Sequence, residues 1–283
     1  MDIHDDDKPV GRILSRREIL KLIGGSSTVA FLGFSFPNII SAQTPTSTPL
    51  PNCIVKPELT EGPYFVANEL NRFDIRIEPS DDSLRIGTPL YLIFQISDVT
   101  QGQCKPLEDA QVDVWHCDAD GTYSGVEDPG FDNEGEMWLR GFQVTDDTGR
   151  AEFLTIVPGW YSGRAVHIHF KVRVLSLDGE SYEFTSQLFF DAEQIEEIYT
   201  QEPYTAHGLP DTPNETDFIY RDSEDLLTIT MNPMEESDFE NLNEKLETID
   251  FDSGLVAVFD LGLDLSDSAV GASDSMNQGR ERR

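Results

Sequence analysis

The sequence predicts an all-β fold, a sandwich or a barrel of short strands with little helix. Three observations carry this. Runs rich in β-branched and aromatic residues recur between residues 89 and 263. Turn signals such as Asp120-Gly121, Asp147-Thr148-Gly149 and Asp178-Gly179 separate them. Hydrophobic residues make up 38% of 283 residues, enough to bury a sizeable core.

The expected strands are Pro89–Val99, Ala110–Cys117, Ala151–Val157, Ala165–Leu175, Tyr182–Phe190, Leu226–Met231 and Leu255–Leu263. Only Glu193–Tyr199 and Phe239–Leu246 read as helical. No internal repeat at a fixed period is present. Thr200–Asp217, with Pro203, Gly208, Pro210, Pro213 and Asn214, reads as a long loop. Such a loop either rims a pocket or runs over the surface.

Before the strands, residues 1–42 read as a twin-arginine export signal. Arg16 and Arg17 stand in a basic segment, Leu22 to Ile40 carries no charge, and Ser41-Ala42 supplies small residues for cleavage. The expected location is periplasmic or extracellular, with no membrane contact after cleavage. Residues 43–52 form a Thr/Pro-rich linker, 53–264 the folded domain, and 265–283 a polar, apolar-poor tail.

The formal net charge of −33 lies wholly beyond residue 42, where 48 acids face 15 bases. A body that acidic repels phosphate backbones, which excludes nucleic acid as a partner. Cys53, Cys104 and Cys117 allow one disulfide and three pairings, and none sits in a Cys-x-x-Cys pair.

The chemistry begins at His167-Ile168-His169. On a strand, residues i and i+2 share a face, so both imidazoles can reach one metal. Six residues earlier stands Tyr161, in a turn through Pro158 and Gly159 that can fold back over the same face. Arg164 lies close enough to supply a positive charge there. Asp113 to Tyr123 is a strand running into a turn that ends on a second tyrosine. Phenolate is a hard anionic donor, and a free tyrosine ionises only near pH 10, so a site with two tyrosines suits Fe(III) better than zinc or copper.

Of the other candidates, His116 is expected to be structural and His207 a solvated loop residue. Trp115 and Trp138 are expected in the core, and Arg140 beside a carboxylate. Tyr182, Tyr199, Tyr204 and Tyr220 have no motif support.

Several segments together resemble the intradiol ring-cleavage dioxygenases, the catechol and protocatechuate dioxygenase family. They are Thr60-Glu61-Gly62-Pro63-Tyr64, Asp113-Val114-Trp115, Gly121-Thr122-Tyr123, Trp138-Leu139-Arg140-Gly141, the run from Thr155 to His169, and Thr185-Ser186-Gln187. The likeness spans residues 53–263. It implies a β-sandwich of mixed strands with long active-site loops. It also implies an Fe(III) cofactor on Tyr123, Tyr161, His167 and His169, with Tyr161 as the tyrosine that leaves the metal when substrate binds. Arg164 would stabilise charge on the substrate and Gln187 would sit near its ring. Tyr64 and Trp160 are further candidates for the pocket wall. The implied reaction inserts both atoms of O2 between the two hydroxylated carbons of a catechol-type ring, giving a muconate-type dicarboxylate.

The chain departs from the family pattern in two places. The spacing from Tyr161 to His167 is short, which suggests an open site for bulkier catechols. The helical N-terminal extension through which catechol-type members dimerise is missing, which leaves the oligomeric state open. Three rival readings follow from the same residues: an exported β-sandwich module binding phenolic compounds or polysaccharide without turnover, a copper or zinc enzyme built on the two histidines, and an acidic calcium-binding surface protein.

Overall fold

A computed structural model describes residues 53–67, 69–175, 181–223 and 226–267. The expected export signal and linker, the expected Asp178-Gly179 turn and the part of the expected tail beyond residue 267 lie outside the described residues.

Twelve strands are described: β1 (Pro89–Asp98), β2 (Lys105–Pro106), β3 (Gln111–Trp115), β4 (Glu127–Asp128), β5 (Phe131–Asp132), β6 (Arg140–Val144), β7 (Arg150–Ile156), β8 (His167–Leu175), β9 (Ser181–Phe190), β10 (Thr228–Ile229), β11 (Asn232–Pro233) and β12 (Leu255–Leu263). They are joined by helices α1 (Ala192–Ile198), α2 (Tyr220–Ser223) and α3 (Glu236–Lys245). The first sheet runs β11-β12-β1-β2, with β7 also pairing β1. The second runs β10-β9-β8-β3-β6, and β4-β5 form a separate hairpin. β1 and β12 are parallel, whereas β8 is antiparallel to both β3 and β9. The fold is therefore a mixed β-sandwich with little helix.

Period-2 alternation explains the layers. On β1, Leu90, Leu92, Phe94 and Ile96 enter the core between the sheets. Tyr91 and Ile93 face the other way and meet Leu154, Leu242 and Phe239 beneath α3. On β8, Ile168, Phe170 and Val172 join the core, so His167, His169 and Lys171 face outward. These three are nevertheless buried, because other parts of the chain cover that face.

One cover is the segment ahead of β1. Leu59 N–H donates to Thr185 O at 2.9 Å, Ser186 Oγ to Pro57 O at 2.9 Å, and Lys171 pairs with Glu61 at 2.5 Å. Cys53 is disulfide-bonded to Cys104, with Cα atoms 6.0 Å apart, which selects one of the three pairings. Cys117 is buried and free, and burial pushes its thiol up.

All seven expected strands and both expected helices are present, although Leu226–Met231 shortens to the two residues of β10. β6 and the two-residue strands β2, β4, β5 and β11 were not expected. In β6, Arg140-Gly141-Phe142-Gln143-Val144 lacks a strong apolar alternation, and its pairing to β3 makes it a strand. Arg140 corrects a second expectation. Among the described residues it pairs with no carboxylate, and its guanidinium donates to the carbonyls of Ser124 and Tyr64 instead.

Phe94 sits at the centre of the core, with ring centroids 6.0 Å from Phe153, 5.3 Å from Phe170 and 5.8 Å from Phe259. Replacing it with alanine removes a ring that both sheets pack against. Phe94→Ala is expected to cost about 3–5 kcal/mol in urea denaturation; a loss under about 1 kcal/mol would contradict this packing.

Candidate metal centre

The register of the second sheet builds the site. Trp115 lies opposite Arg140 on one side and His169 on the other, and His169 lies opposite Gln187. Arg140, Trp115, His169 and Gln187 thus form one row across four strands, pointing to one face. His167 stands two residues along β8 on that face.

Two turns bring the tyrosines to this row. Asp118 opens the first: its carboxylate accepts from Asp120 N at 3.1 Å and Thr122 N at 3.0 Å, turning the chain toward Tyr123. The second turn, residues 157–164, carries Tyr161. The turns touch backbone to backbone. Gly121 has φ +81°, and a Cβ there would overlap the Trp160 carbonyl oxygen. Gly62, also left-handed at φ +76°, lets the chain pass over His169, where a Cβ would stand 3.1 Å from Cε1.

The four expected donors converge. Tyr161 Oη is 3.2 Å from His167 Nε2, and His167 Nε2 is 3.1 Å from His169 Nε2. The Tyr123 ring lies 5.8 Å from Tyr161 and 6.3 Å from His169, centroid to centroid. His167 Nδ1 donates to Ala165 O at 2.6 Å, which leaves the Nε2 lone pair facing into the cluster. His169 stacks on Trp115 at 5.0 Å. Tyr123 Oη and His169 Nδ1 are buried without a hydrogen-bond partner among the described residues.

The electrostatics of the cluster suit a cation. Burial, then the Arg164 charge, holds His167 well below the ordinary imidazole range; burial, then His167, does the same to His169. Burial, then Tyr161, pushes Tyr123 up. A buried phenol and an imidazole nitrogen left without partners are costly, and a metal ion among these donor atoms would offset that cost. Among the described residues no three His, Cys, Asp or Glu side chains could hold a metal together, so the two histidines find no third donor of those types, and Tyr123 and Tyr161 are the side chains beside them.

The remaining candidates take definite places. Tyr64 stacks on Tyr123 at 4.4 Å, lies edge-on to Tyr161 at 6.1 Å and donates to Asp128 at 2.9 Å. Gln187 is buried and accepts from Arg164 at 2.6 Å. Trp160 packs against His207 at 4.5 Å and donates to Gly208 O at 2.9 Å. The long loop therefore docks on the Tyr161 turn. His116 bonds Cys117 O at 2.8 Å and Thr155 Oγ1 at 2.6 Å, and burial lowers it to about 4, as suits a structural residue. Asp217, at the loop's end, pairs with Arg164 at 2.9 Å. Sequence reasoning missed it, since no motif surrounds it.

Known proteins are similar to this chain. A family profile described as Dioxygenase matches residues 60–199. An intradiol ring-cleavage dioxygenase from Tetranychus urticae is 29% identical with a TM-score of 0.58, covering 75% of this chain and 95% of its own. The match over residues 60–199, together with the structural likeness over three quarters of the chain, supports an intradiol ring-cleavage dioxygenase. A chlorocatechol 1,2-dioxygenase from Pseudomonas putida is 34% identical over a stretch that covers 24% of this chain and 31% of that relative. A hydroxyquinol 1,2-dioxygenase from Pseudomonas putida DLL-E4 shares the fold, with 19% identity, a TM-score of 0.50, and coverage of 75% of this chain and 67% of its own. Within the intradiol dioxygenase likeness, the profile takes in all four candidate donors, Arg164 and Gln187.

Gly121→Ala should separate the two tyrosine turns. It is expected to destabilise the protein by more than about 1 kcal/mol, since both φ and the Trp160 carbonyl oppose a Cβ. Gly163, with φ +90° and nothing within 4 Å, supplies the control. Thermal unfolding should place Gly121→Ala below Gly163→Ala, and the reverse order would contradict the contact.

Proposed function

We propose that the protein is a non-haem Fe(III) dioxygenase. It inserts both atoms of O2 into a catechol-type ring between the two hydroxylated carbons, yielding a muconate-type dicarboxylate. The observation that carries this reading is the meeting of Tyr161, His167 and His169 donor atoms beside the unpartnered Tyr123 phenol.

Tyr123, Tyr161, His167 and His169 would hold the iron. When bound, ferric iron supplies a Lewis acid strong enough to ionise phenols and a catechol diol, and it draws electron density from the dianion. The protein's own groups do the rest. Tyr123 is 1% exposed and locked beneath Tyr64, with the Arg140 guanidinium 5.9 Å from its ring. It is the fixed phenolate. Tyr161 lies in a half-buried turn with exposed neighbours Ser162 and Gly163, so it has room to swing aside and take a diol proton on Oη. The Ala165 carbonyl keeps the His167 proton on Nδ1, away from the metal side. Arg164 offers guanidinium N–H groups to negative charge developing on the substrate oxygen. Tyr64, Trp160 and Gln187 wall the ring's place.

An anaerobic visible spectrum tests the metal assignment. The iron-loaded protein should show a broad band that moves to longer wavelength on adding catechol, and chelation of the iron should abolish both. A protein that stays colourless after reconstitution with iron would overturn the four-ligand set.

The compact Tyr161–His167 turn, with open space around Gly163, supports acceptance of bulky ring substituents. Catechols carrying a large 4-substituent should be cleaved within about tenfold of the catechol rate, each 1.4 kcal/mol of barrier counting as tenfold. Oxygen uptake on a substrate panel reads this, and turnover of unsubstituted catechol alone would contradict it.

A further inference from the structure

Arg164 is almost wholly buried, so its direction is set by the protein. Its Nε donates to Asp217 Oδ2 at 2.9 Å and Nη2 to Gln187 Oε1 at 2.6 Å. Gln187 is held in turn by Thr60 O, which accepts from its Nε2 at 3.0 Å. A planar guanidinium gripped at two nitrogens cannot turn about its own axis.

Asp217 is more than a counter-ion. It is fully buried and accepts three backbone N–H bonds besides the arginine: Ala165 at 2.8 Å, Ile219 at 2.7 Å and Tyr220 at 3.0 Å. Burial alone would raise its carboxyl, but the Arg164 charge and these donors hold it below the ordinary carboxylate range. The carboxylate thus clamps the end of the 200–217 loop to the chain between Arg164 and the His167 strand. The same loop meets that turn again through His207 against Trp160, through Gly208 O, which accepts from Trp160 Nε1, and through Asp211, which accepts from Gly163 N at 3.3 Å.

We propose that Asp217 is a positioning residue for ring cleavage, aiming the Arg164 guanidinium at the bound diol and tying that aim to the 200–217 loop. This rests on the dioxygenase reading above. A buried carboxylate and arginine that merely stabilised the fold would contribute independently of turnover. A carboxylate that acts through Arg164 has no effect on chemistry once Arg164 is gone.

The test compares iron-loaded wild type, D217N, R164A and the R164A/D217N double variant on catechol. D217N should lose at least tenfold in kcat with KM within about threefold, while its iron content and the catechol-shifted visible band match wild type. The double variant should have the kcat of R164A within about threefold. A D217N kcat within twofold of wild type, or a double variant showing the product of the two single losses, would overturn the proposal. D217E, which keeps the charge on a longer arm, decides the matter if D217N does not fold: a tenfold loss with an intact band supports the clamp, and wild-type kcat overturns it. A wild-type protein without turnover would instead count against the dioxygenase reading. Equal turnover of wild type and D217N counts against Asp217 alone.

Discussion

The strict alternation of β8 is the constraint on which the rest of the molecule depends. Ile168, Phe170 and Val172 fill the sandwich, which forces His167, His169 and Lys171 onto the opposite face. A slip of one residue would put imidazoles into the core and isoleucine into the site. The core therefore fixes the histidines with the same energy that holds the sheets together. Pairing to β3 and β9 then lines up Trp115 and Gln187 beside His169. The site inherits its geometry from the most rigid part of the fold, which suits a centre needing sub-ångström placement.

The cations on and beside that face are held by carboxylates. Arg164 has Asp217, Lys171 has Glu61 and Arg173 has Asp113. Buried charges of this kind cost much if left alone and little when paired. On a strongly acidic protein the few buried cations are held in place by such partners. Arg140 follows another route, spending its donors on backbone carbonyls and thereby fastening Tyr64 and Ser124 around Tyr123.

Much of this was legible in the sequence because it rests on local pattern. Apolar runs marked the core strands, and the His-x-His pair with Tyr161 and Tyr123 marked the site. What escaped depends on distance along the chain. Asp217 is 53 residues from Arg164, in a loop rich in proline, and nothing beside it announces a partner. The Cys53–Cys104 bond was one of three allowed pairings, and only the course of the segment before β1 decides among them. β6 has weak strand character of its own and exists because β3 offers an edge. Arg140 looked like a salt-bridging residue because sequence shows its charge but not the carbonyls aimed at it.

The parallel pairing of β1 with β12 has a consequence for the order in which the chain is made. β1 emerges from the ribosome early, but one of its two edges waits for residues 255–263, nearly the last of the described chain. Until they arrive, Leu90, Leu92, Phe94 and Ile96 belong to a strand with an unsatisfied edge, the situation that invites aggregation. The four candidate donors, all between residues 123 and 169, are synthesised well before that closing strand. The candidate donors and the strand that completes the sandwich therefore leave the ribosome at different times. The long-range pairing makes completion slow, and a chaperone that shields the β1 edge would act in the interval between them.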